Sequence, residues 1–403
     1  MSHNIPQDLL IEMLSSFPVK LLLKCRCACK AWDCLITNPF FTAKHLKKAA
    51  ARNSELLLFR YYIDGGNERY LLHTNESFPE NPVEELHCPL KSLNHFVNIV
   101  GSCNGILCLS DDVNGVYTNR AALWNPSVRK IVTIPSPNIT LDSGGQLFHS
   151  LGFGFDSKLD DYKLVRVVYM EDNNFGIDIP PLVEIYSLRR RCWRLIRHDL
   201  KYFNTASAQS AFVNGACHWA AYKPKNGNGV CNVIVSFALG EEAFGEMLVP
   251  KCLVDKYLFM DVAAFDGSLL LVPFHEMTGE EDWFSVWMMK KYGDVESWIK
   301  LFNISHLEGI QRLVAVRPNG KFLLAKEDGK LVFYDPNTEE ILDTGIFGEQ
   351  NSFYLDILVD SLVLVGESNE FTEIKEEDAF TSGSVSSSLV VNDKASEESR
   401  EES

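Results

Sequence analysis

This chain lacks the features that mark membrane proteins and secreted proteins. It has 403 residues but no uncharged apolar run of about 18 residues, the length that a membrane-crossing helix needs. Its N-terminal residues, Met1 to Asp8, have neither the basic region nor the apolar region of a secretory signal peptide. We therefore expect a soluble protein of a reducing compartment, the cytoplasm, the nucleus or both.

A disulfide framework and a metal-binding motif are also missing. The 11 cysteines are odd in number and scattered through apolar segments, which is typical of buried free thiols. Cys25, Cys27 and Cys29 alternate, but on a helix only the first and the last would share a face. No nearby Cys or His completes the four ligands of a zinc site. We predict free cysteines and no metal.

No motif of a common catalytic site is present. His275-Glu276 lacks the second histidine of a zinc-protease helix. The chain contains no Gly-x-Ser-x-Gly nucleophile motif and no glycine-rich phosphate loop followed by lysine. We therefore predict a protein that has no cofactor and is not an enzyme.

Basic residues are scarce, and the charge is unevenly distributed. The chain has 38 Lys and Arg against 54 Asp and Glu, a net charge of −16, which argues against a nucleic-acid-binding protein. Residues 1–48 nevertheless carry seven basic and three acidic side chains, whereas residues 367–403 carry eleven acidic and three basic ones. The latter segment is rich in serine, so we expect a disordered tail. We interpret it as a solubilising end; the alternative is a segment regulated by phosphorylation.

Residues 1–48 have the pattern of three to four short helices. Apolar residues recur at helical spacing before Pro18, after Pro18, and again from Ala31 to Ile36, where Asn38-Pro39 interrupts the pattern. A domain this small cannot bury all of its apolar faces on itself, so we expect it to bind a partner.

Residues 54–366 read as an all-β domain. Short apolar segments alternate with turn residues, and no long amphipathic helix interrupts them. The hairpin signals Asn104-Gly105, Asn214-Gly215, Asp266-Gly267 and Asn319-Gly320 are 110, 52 and 53 residues apart, with Gly152 and Gly154 near the missing step. A period near 52 is that of a four-stranded, kelch-type propeller blade.

The number of repeats predicts a six-bladed β-propeller. About five units follow Phe96, and the strands Leu56 to Arg60 and Tyr354 to Val365, at opposite ends of the domain, could pair into a sixth. That pairing would close the ring and remove its open edges. The alternative fold is a large β-sandwich with accidental spacing of the turns. In either fold we expect the tryptophans of the strands to pack in the core.

Two sets of motifs resemble those of one plant protein family. The first is similar to a plant-type F-box and comprises Ile5-Pro6-Gln7-Asp8-Leu9-Leu10-Ile11-Glu12-Met13-Leu14, Phe17-Pro18-Val19-Lys20, Cys25-Arg26-Cys27-Ala28-Cys29-Lys30-Ala31-Trp32 and Leu35-Ile36. The second is similar to the F-box-associated domain of F-box/kelch-like and S-locus-F-box-like proteins and comprises Gly101-Ser102-Cys103-Asn104-Gly105-Ile106-Leu107, Leu123-Trp124-Asn125-Pro126-Ser127-Val128-Arg129-Lys130, Gly152-Phe153-Gly154-Phe155-Asp156, Asp160-Asp161-Tyr162-Lys163-Leu164-Val165 and Val183-Glu184-Ile185-Tyr186-Ser187-Leu188.

The resemblance implies the substrate-recognition subunit of an SCF ubiquitin ligase. In that family the F-box binds a Skp1-type adaptor, and through it cullin, while the second domain captures a target protein for ubiquitination. The apolar residues that we expect to contact the adaptor are Pro6, Leu9, Leu10, Met13, Leu14, Pro18, Val19, Leu22 and Trp32. For each of them the alternative is packing inside the helical domain. The excess of four basic residues in this domain suits an acidic adaptor.

Target binding is expected on loops, where function collects on a rigid scaffold. The polar stretches are 140–146, 171–181, 222–231 and 275–283. Their acidic residues favour a basic target and are Glu171, Asp172, Asp178, Glu280, Glu281 and Asp282. The alternative is that these are ordinary solvated loops.

Two other functions stay open at this point. One is a propeller-type interaction protein whose F-box is vestigial and which does not direct ubiquitination. The other is an enzyme that uses the central channel of the propeller. That function requires titratable residues that converge on the channel, and the strand sequences show no such pattern.

Overall fold

A computed structural model describes residues 6–51, 56–63, 65–66, 68–93, 95–112, 118–139, 147–170, 180–198, 200, 202–204, 209–224, 230–256, 258–276, 283–305 and 309–367. The acidic tail predicted to be disordered lies almost wholly outside these residues. The described part has two components, a helical unit (residues 6–51) and a ring of β-sheets.

The helical unit consists of four short helices, as predicted. Proline precedes α1 and α2, where its fixed φ favours the start of a helix. The Asn38 side chain accepts a hydrogen bond of 2.9 Å from the Phe40 amide and caps the last helix. None of these helices has the length and apolar character needed to cross a bilayer. The helices are α1 (Gln7–Leu14), α2 (Val19–Arg26), α3 (Lys30–Ile36) and α4 (Pro39–Ala50).

Within the described ranges, the ring contains 25 strands. The first twelve are β1 (Leu56–Tyr61), β2 (Arg69–Thr74), β3 (Glu84–Leu86), β4 (Asn98–Cys103), β5 (Ile106–Ser110), β6 (Ala121–Asn125), β7 (Lys130–Ile134), β8 (Leu147–Asp156), β9 (Asp161–Met170), β10 (Leu182–Ser187), β11 (Cys192–Ile196) and β12 (Phe203–Asn204). The others are β13 (Ala211–Val213), β14 (Ala216–Pro224), β15 (Val230–Ala238), β16 (Ala243–Leu248), β17 (Leu258–Phe265), β18 (Ser268–Glu276), β19 (Trp283–Met289), β20 (Trp298–Ser305), β21 (Ile310–Val316), β22 (Phe322–Lys326), β23 (Lys330–Asp335), β24 (Glu340–Phe347) and β25 (Tyr354–Ile357).

These strands form six antiparallel sheets, the blades of a β-propeller. Blades I to V are β4–β7, β8–β11, β12–β16, β17–β20 and β21–β24, and blade VI combines β25 with β1–β3. In blade VI, Leu57 pairs with Ile357 and Arg60 pairs with Tyr354. The two ends of the domain thus close the ring, so the six-bladed prediction is confirmed and the β-sandwich alternative is wrong.

The repeated turn signals all have the same place in a blade. Each of the four connects the innermost strand to the second strand, and the positive φ of 54° at Asn104 and 80° at Gly105 shows why Asn-Gly is favoured there. We call the end of the propeller that carries these turns the lower end. Because strands alternate in direction, the second-to-third connections and the connections between blades lie at the opposite, upper end.

Tryptophans join the blades to one another. The buried Trp193 of blade II donates its indole N–H to Pro135 O of blade I at 2.7 Å, and Trp298 of blade IV donates to Leu248 O of blade III at 3.1 Å. Trp219 is fully buried within blade III and donates to Leu151 O of blade II at 2.9 Å. Their repetition at blade spacing therefore reflects core packing.

All eleven cysteines are free, but the prediction of buried thiols is wrong for the five exposed ones, which are Cys27, Cys29, Cys34, Cys192 and Cys252. Cys108 and Cys217 are fully buried, and burial raises the pKa of each thiol far above its ordinary value. Cys25 belongs to α2, whereas Cys29 precedes α3, so these two do not share one helical face. Among the described residues, no group of three or more Cys, His, Asp or Glu is arranged to hold a metal.

Candidate interaction surfaces

The helical unit packs its inner face on the lower end of the propeller. Val19 and Leu22 of α2 are fully buried in a cluster that includes Val128, in the turn after β6, and Leu362 and Val365, which follow β25. The propeller of the same chain thus covers part of the apolar surface for which the sequence predicts a partner.

A C-terminal strap, residues 358–367, lies between the propeller and the helices. The Asn125 side chain donates to Ser361 O at 3.1 Å and to Val363 O at 2.7 Å. At Gly105 the strap passes so close that a Cβ atom would lie 2.2 Å from Val359 O. Two residues of the family motifs therefore fix the path of the strap.

The strap in turn holds the start of α2. Its Asp360 carboxylate accepts a hydrogen bond of 2.9 Å from the Val19 amide, a position where Pro18 supplies no side-chain cap. A carboxylate at this end also interacts favourably with the helix dipole. At the other end of α2, Arg26 donates to Val365 O at 3.4 Å. Both ends of α2 are thus attached to the strap.

The structure divides the nine predicted adaptor-contact residues into three groups. Leu14, Val19 and Leu22 are buried by the chain itself, because they form the core between the helices and the propeller. Leu10 and Trp32 are half-buried against that core. The exposed members are Pro6, Leu9, Met13 and Pro18, of which Leu9 is 57% and Met13 54% exposed.

Phe40 and Leu21 add to this surface and were not predicted. Phe40 is 70% exposed, and Leu21 is 42% exposed. Phe40 stands one turn before Lys44 on α4, and Lys44 binds Glu12 of α1 at 2.6 Å. The sequence signal at this place, Asn38-Pro39, gives the helix start but not the direction in which the next side chain points.

Glu12 links α1 to α4. It pairs with both Lys44 and Lys48, and the hydrogen bonds from these two ammonium groups lower the pKa of Glu12 to about 2. These ion pairs thus hold α1 against α4, and with them the exposed side chains of Leu9, Met13 and Phe40.

The strand ends that flank the stretches predicted to bind a target lie at the upper end. The stretch 140–146 connects two blades, and 171–179, 225–229 and 277–282 connect second strands to third strands. The acidic residues named for target binding, Glu171, Asp172, Asp178, Glu280, Glu281 and Asp282, lie outside the described residues. The flanking strand ends lie on the side of the propeller opposite the helices.

A buried charged network supports part of this end and was not predicted. Arg166 of β9 binds Glu184 of β10 at 2.7 Å and Asn119 at 2.9 Å, and its Nε lies 3.2 Å from His149 Nδ1. The other ring nitrogen of His149 lies 3.0 Å from the Asp112 carboxylate. The network links blades I and II beside two of these stretches, 140–146 and 171–179. The sequence signal for this network was a charged residue within an apolar strand, Arg166 in Leu-Val-Arg-Val-Val, because a buried charge needs a partner.

Burial dominates the electrostatics of this network. It raises the pKa of Glu184 although Arg166 opposes the shift, and it lowers the pKa of His149 although the hydrogen bond with Asp112 opposes the shift. At Asp112 burial also acts to raise the pKa, but the hydrogen bond from His149 lowers it on balance. Such a network is costly unless every member is paired, which makes it a rigid support for the neighbouring connections.

Charged residues also converge on the central channel, contrary to expectation. Arg312 donates to Phe353 O at 3.0 Å, and burial lowers the pKa of Arg312 to about 10. Burial raises the pKa of Asp261 to about 6, an effect that Arg312 opposes. Asp356 of β25 accepts a hydrogen bond from the Ser102 hydroxyl of β4. These contacts tie the innermost strands of different blades together, so they stabilise the ring.

Comparison with known proteins assigns this architecture to a family. Residues 70–389 match the model of the F-box associated beta propeller domain. The chain is 27% identical to the F-box protein CPR1 of Arabidopsis thaliana, with 93% of each chain covered. It is 26% identical to the Arabidopsis thaliana F-box/kelch-repeat protein At3g23880, covering 77% of this chain and 82% of that one. A match to the solved structure of the Dos1 propeller covers 74% of this chain and 68% of that chain, at 10% identity and with a TM-score of 0.34. This chain belongs to the F-box proteins with an F-box-associated β-propeller domain.

Proposed function

We propose that this protein is a substrate-recognition subunit of an SCF ubiquitin ligase. The observation that carries the proposal is the opposite placement of two surfaces on one rigid ring. The helical unit is attached to the lower end, and the connections expected to bind a target leave from the upper end. A receptor of this kind must hold its adaptor and its target at the same time, and this arrangement keeps the two apart.

The adaptor surface consists of the exposed part of the helical unit. Its solvent-facing apolar residues include Pro6, Leu9, Met13, Pro18, Leu21 and Phe40, and the half-buried Trp32 adds to them. Leu14, Val19 and Leu22 act indirectly in this proposal, because they fix the helices on the propeller. Apolar side chains in such numbers on one small unit are typical of an interaction site.

Charge favours an acidic adaptor. Lys20, Lys24 and Lys30 are exposed, and none of them forms an ion pair with another described residue. Such residues increase the association rate with a partner of opposite charge. In this role the protein supplies binding surfaces, and the transfer of ubiquitin takes place on other subunits in the cytoplasm or nucleus.

The upper end is the proposed target site. The acidic residues at 171–178 and 280–282 favour a basic protein surface. The alternative function is that of an interaction protein that does not direct ubiquitination. It predicts that the level of the target protein stays normal, without an increase, when the proteasome is blocked.

Binding of a purified Skp1-type adaptor to the full chain tests the proposal. We expect the double substitution Leu9→Glu and Met13→Glu to weaken binding at least about tenfold, since charges would replace central apolar contacts. The matched control is Leu248→Glu, a residue 49% exposed on the outer strand of blade III, which should bind like the wild type. Failure of the folded wild-type chain to bind, or equal binding by both variants, would contradict the proposal.

A further inference from the structure

The described chain ends at a basic surface. Glu367 pairs with Arg191 in the turn between β10 and β11. Two residues earlier, Val365 O accepts a hydrogen bond from Arg26 at the end of α2. The strap therefore leaves the fold between the helical unit and blade II, with an arginine on each side.

Basic side chains outnumber acidic ones around this exit, where Arg26 also pairs with Asp33 at 2.8 Å. Lys24 lies in the last turn of α2, Lys30 begins α3, and Arg190 precedes Arg191 in the exposed turn of blade II. Lys24, Lys30 and Arg190 form no ion pair with any residue in the described part of the chain. We call Lys24, Arg26, Lys30, Arg190 and Arg191 the basic arc.

The segment that follows the exit has the opposite charge. Residues 368–378 carry five acidic side chains, Glu370, Glu373, Glu376, Glu377 and Asp378, against the single base Lys375. At about 3.3 Å per residue these eleven residues reach up to about 36 Å, whereas the eight-residue helix α2 is about 12 Å long. The segment can therefore reach every member of the basic arc.

We propose that residues 368–378 bind the basic arc of their own chain and compete there with an acidic partner of the helical unit. Attachment at Glu367 makes the contact intramolecular, with an effective concentration on the order of millimolar. Each exposed ion pair contributes little by itself, so the binding depends on several charges acting together and weakens with salt. The competition, though not the docking itself, rests on the proposed adaptor function.

The chain supplies its own control. Residues 393–402 contain another five acids, Asp393, Glu397, Glu398, Glu401 and Glu402, again four glutamates and one aspartate. A proximal variant (Glu370→Gln, Glu373→Gln, Glu376→Gln, Glu377→Gln, Asp378→Asn) and a distal variant (Asp393→Asn, Glu397→Gln, Glu398→Gln, Glu401→Gln, Glu402→Gln) lose the same charge.

The first experiment measures the acetylation rate of individual lysines by mass spectrometry, in the full-length wild type and in both variants. We expect the proximal variant to acetylate Lys24 and Lys30 about three- to tenfold faster than the wild type and the distal variant, at low salt only. Lys251 serves as the internal reference, because its side chain is 82% exposed in the connection between blades III and IV, at the upper end and therefore opposite the arc. Equal rates at Lys24 and Lys30 in all three proteins would overturn the docking.

The second experiment measures binding of the purified adaptor to the same three proteins. We expect the proximal variant to bind several-fold more tightly than the other two, with the difference disappearing near 0.5 M salt, where the Debye length is only about 4 Å. Equal affinities together with altered acetylation would overturn the competition but leave the docking. If none of the three binds the adaptor, the proposed function fails, and the acetylation result still decides the docking.

Discussion

At the scale of single residues, Gly152 shows why a family motif requires glycine. It lies on β8, the innermost strand of blade II, where a Cβ atom would lie 2.4 Å from the Trp219 ring and 2.9 Å from Cys217 Cβ. Both neighbours are fully buried in blade III, so neither side chain can move aside easily. The motif Gly152-Phe153-Gly154 thus marks a close approach of two blades. Glycine is required at position 152 because a side chain would have no space, and not because the backbone has an unusual conformation.

We predict that Gly152→Ala destabilises the protein. Overpacking of this kind costs about 1–3 kcal/mol, which should lower the urea midpoint of unfolding. Gly101→Ala is the matched control, because it also changes an innermost strand but its Cβ would meet only Phe153 O, at 4.0 Å. Equal midpoints for the two variants would show that the blades can separate at no cost.

Other single residues could not be predicted from the sequence, for a physical reason. The spacing of Leu9, Met13, Leu14 and Leu22 predicts helices, but each helix has one face toward the propeller and another toward solvent. Which residues face which way depends on contacts with residues more than a hundred positions away, such as Val128. Periodicity carries no information about such contacts, so three of the nine predicted adaptor contacts are buried and Phe40 was missed.

At the scale of secondary-structure elements, the start of α2 depends on a residue 341 positions away. Pro18 offers no side-chain cap, and the Asp360 carboxylate accepts the hydrogen bond from the Val19 amide instead. The cap therefore also attaches the helical unit to the strap, and through the strap to the propeller.

Removal of this cap should loosen the helical unit. We predict that Asp360→Ala lowers the free energy of unfolding by about 0.5–2 kcal/mol, the usual effect of losing a helix cap. Amide hydrogen exchange in α2 should become faster, while exchange in β9 and β10 stays the same. Asp360→Asn keeps an acceptor oxygen and should have a smaller effect. An Asp360→Ala protein with wild-type exchange in α2 would show that burial of Val19 and Leu22 alone holds the helix.

At the scale of the whole molecule, the repeat was the most informative feature of the sequence. Four Asn-Gly and Asp-Gly signals near a 52-residue period predicted the blade and its innermost turn, because each turn requires positive φ, and the two leftover end strands predicted the closure of the ring. The charges on the central channel were not predicted, since Asp261 and Arg312 are separated by 51 residues and meet only when the ring closes. The same closure creates both ends of the propeller, and with them the separation of the two proposed surfaces.

Ring closure itself can be tested by truncation. A chain that ends at residue 353 lacks β25 and the strap, whereas a chain that ends at residue 367 keeps both. The shorter chain leaves β1 as an open edge and removes the buried side chains of Leu355, Leu358, Leu362 and Val365. Each contributes about 1.5–3 kcal/mol, and together they rival the net stability of a typical domain, about 5–15 kcal/mol.

We therefore predict opposite outcomes for the two truncations. The chain ending at 353 should lose its cooperative thermal transition and aggregate through its open edge in size-exclusion chromatography. The chain ending at 367 should remain monodisperse and keep the transition temperature of the full chain, since every described contact is retained. Cooperative unfolding of the shorter chain near the full-length temperature would mean that five blades suffice and that blade VI serves mainly to position the strap. Blade VI, however, contains both the closing pair of strands and the origin of the strap, so loss of closure should also release the helical unit from the ring.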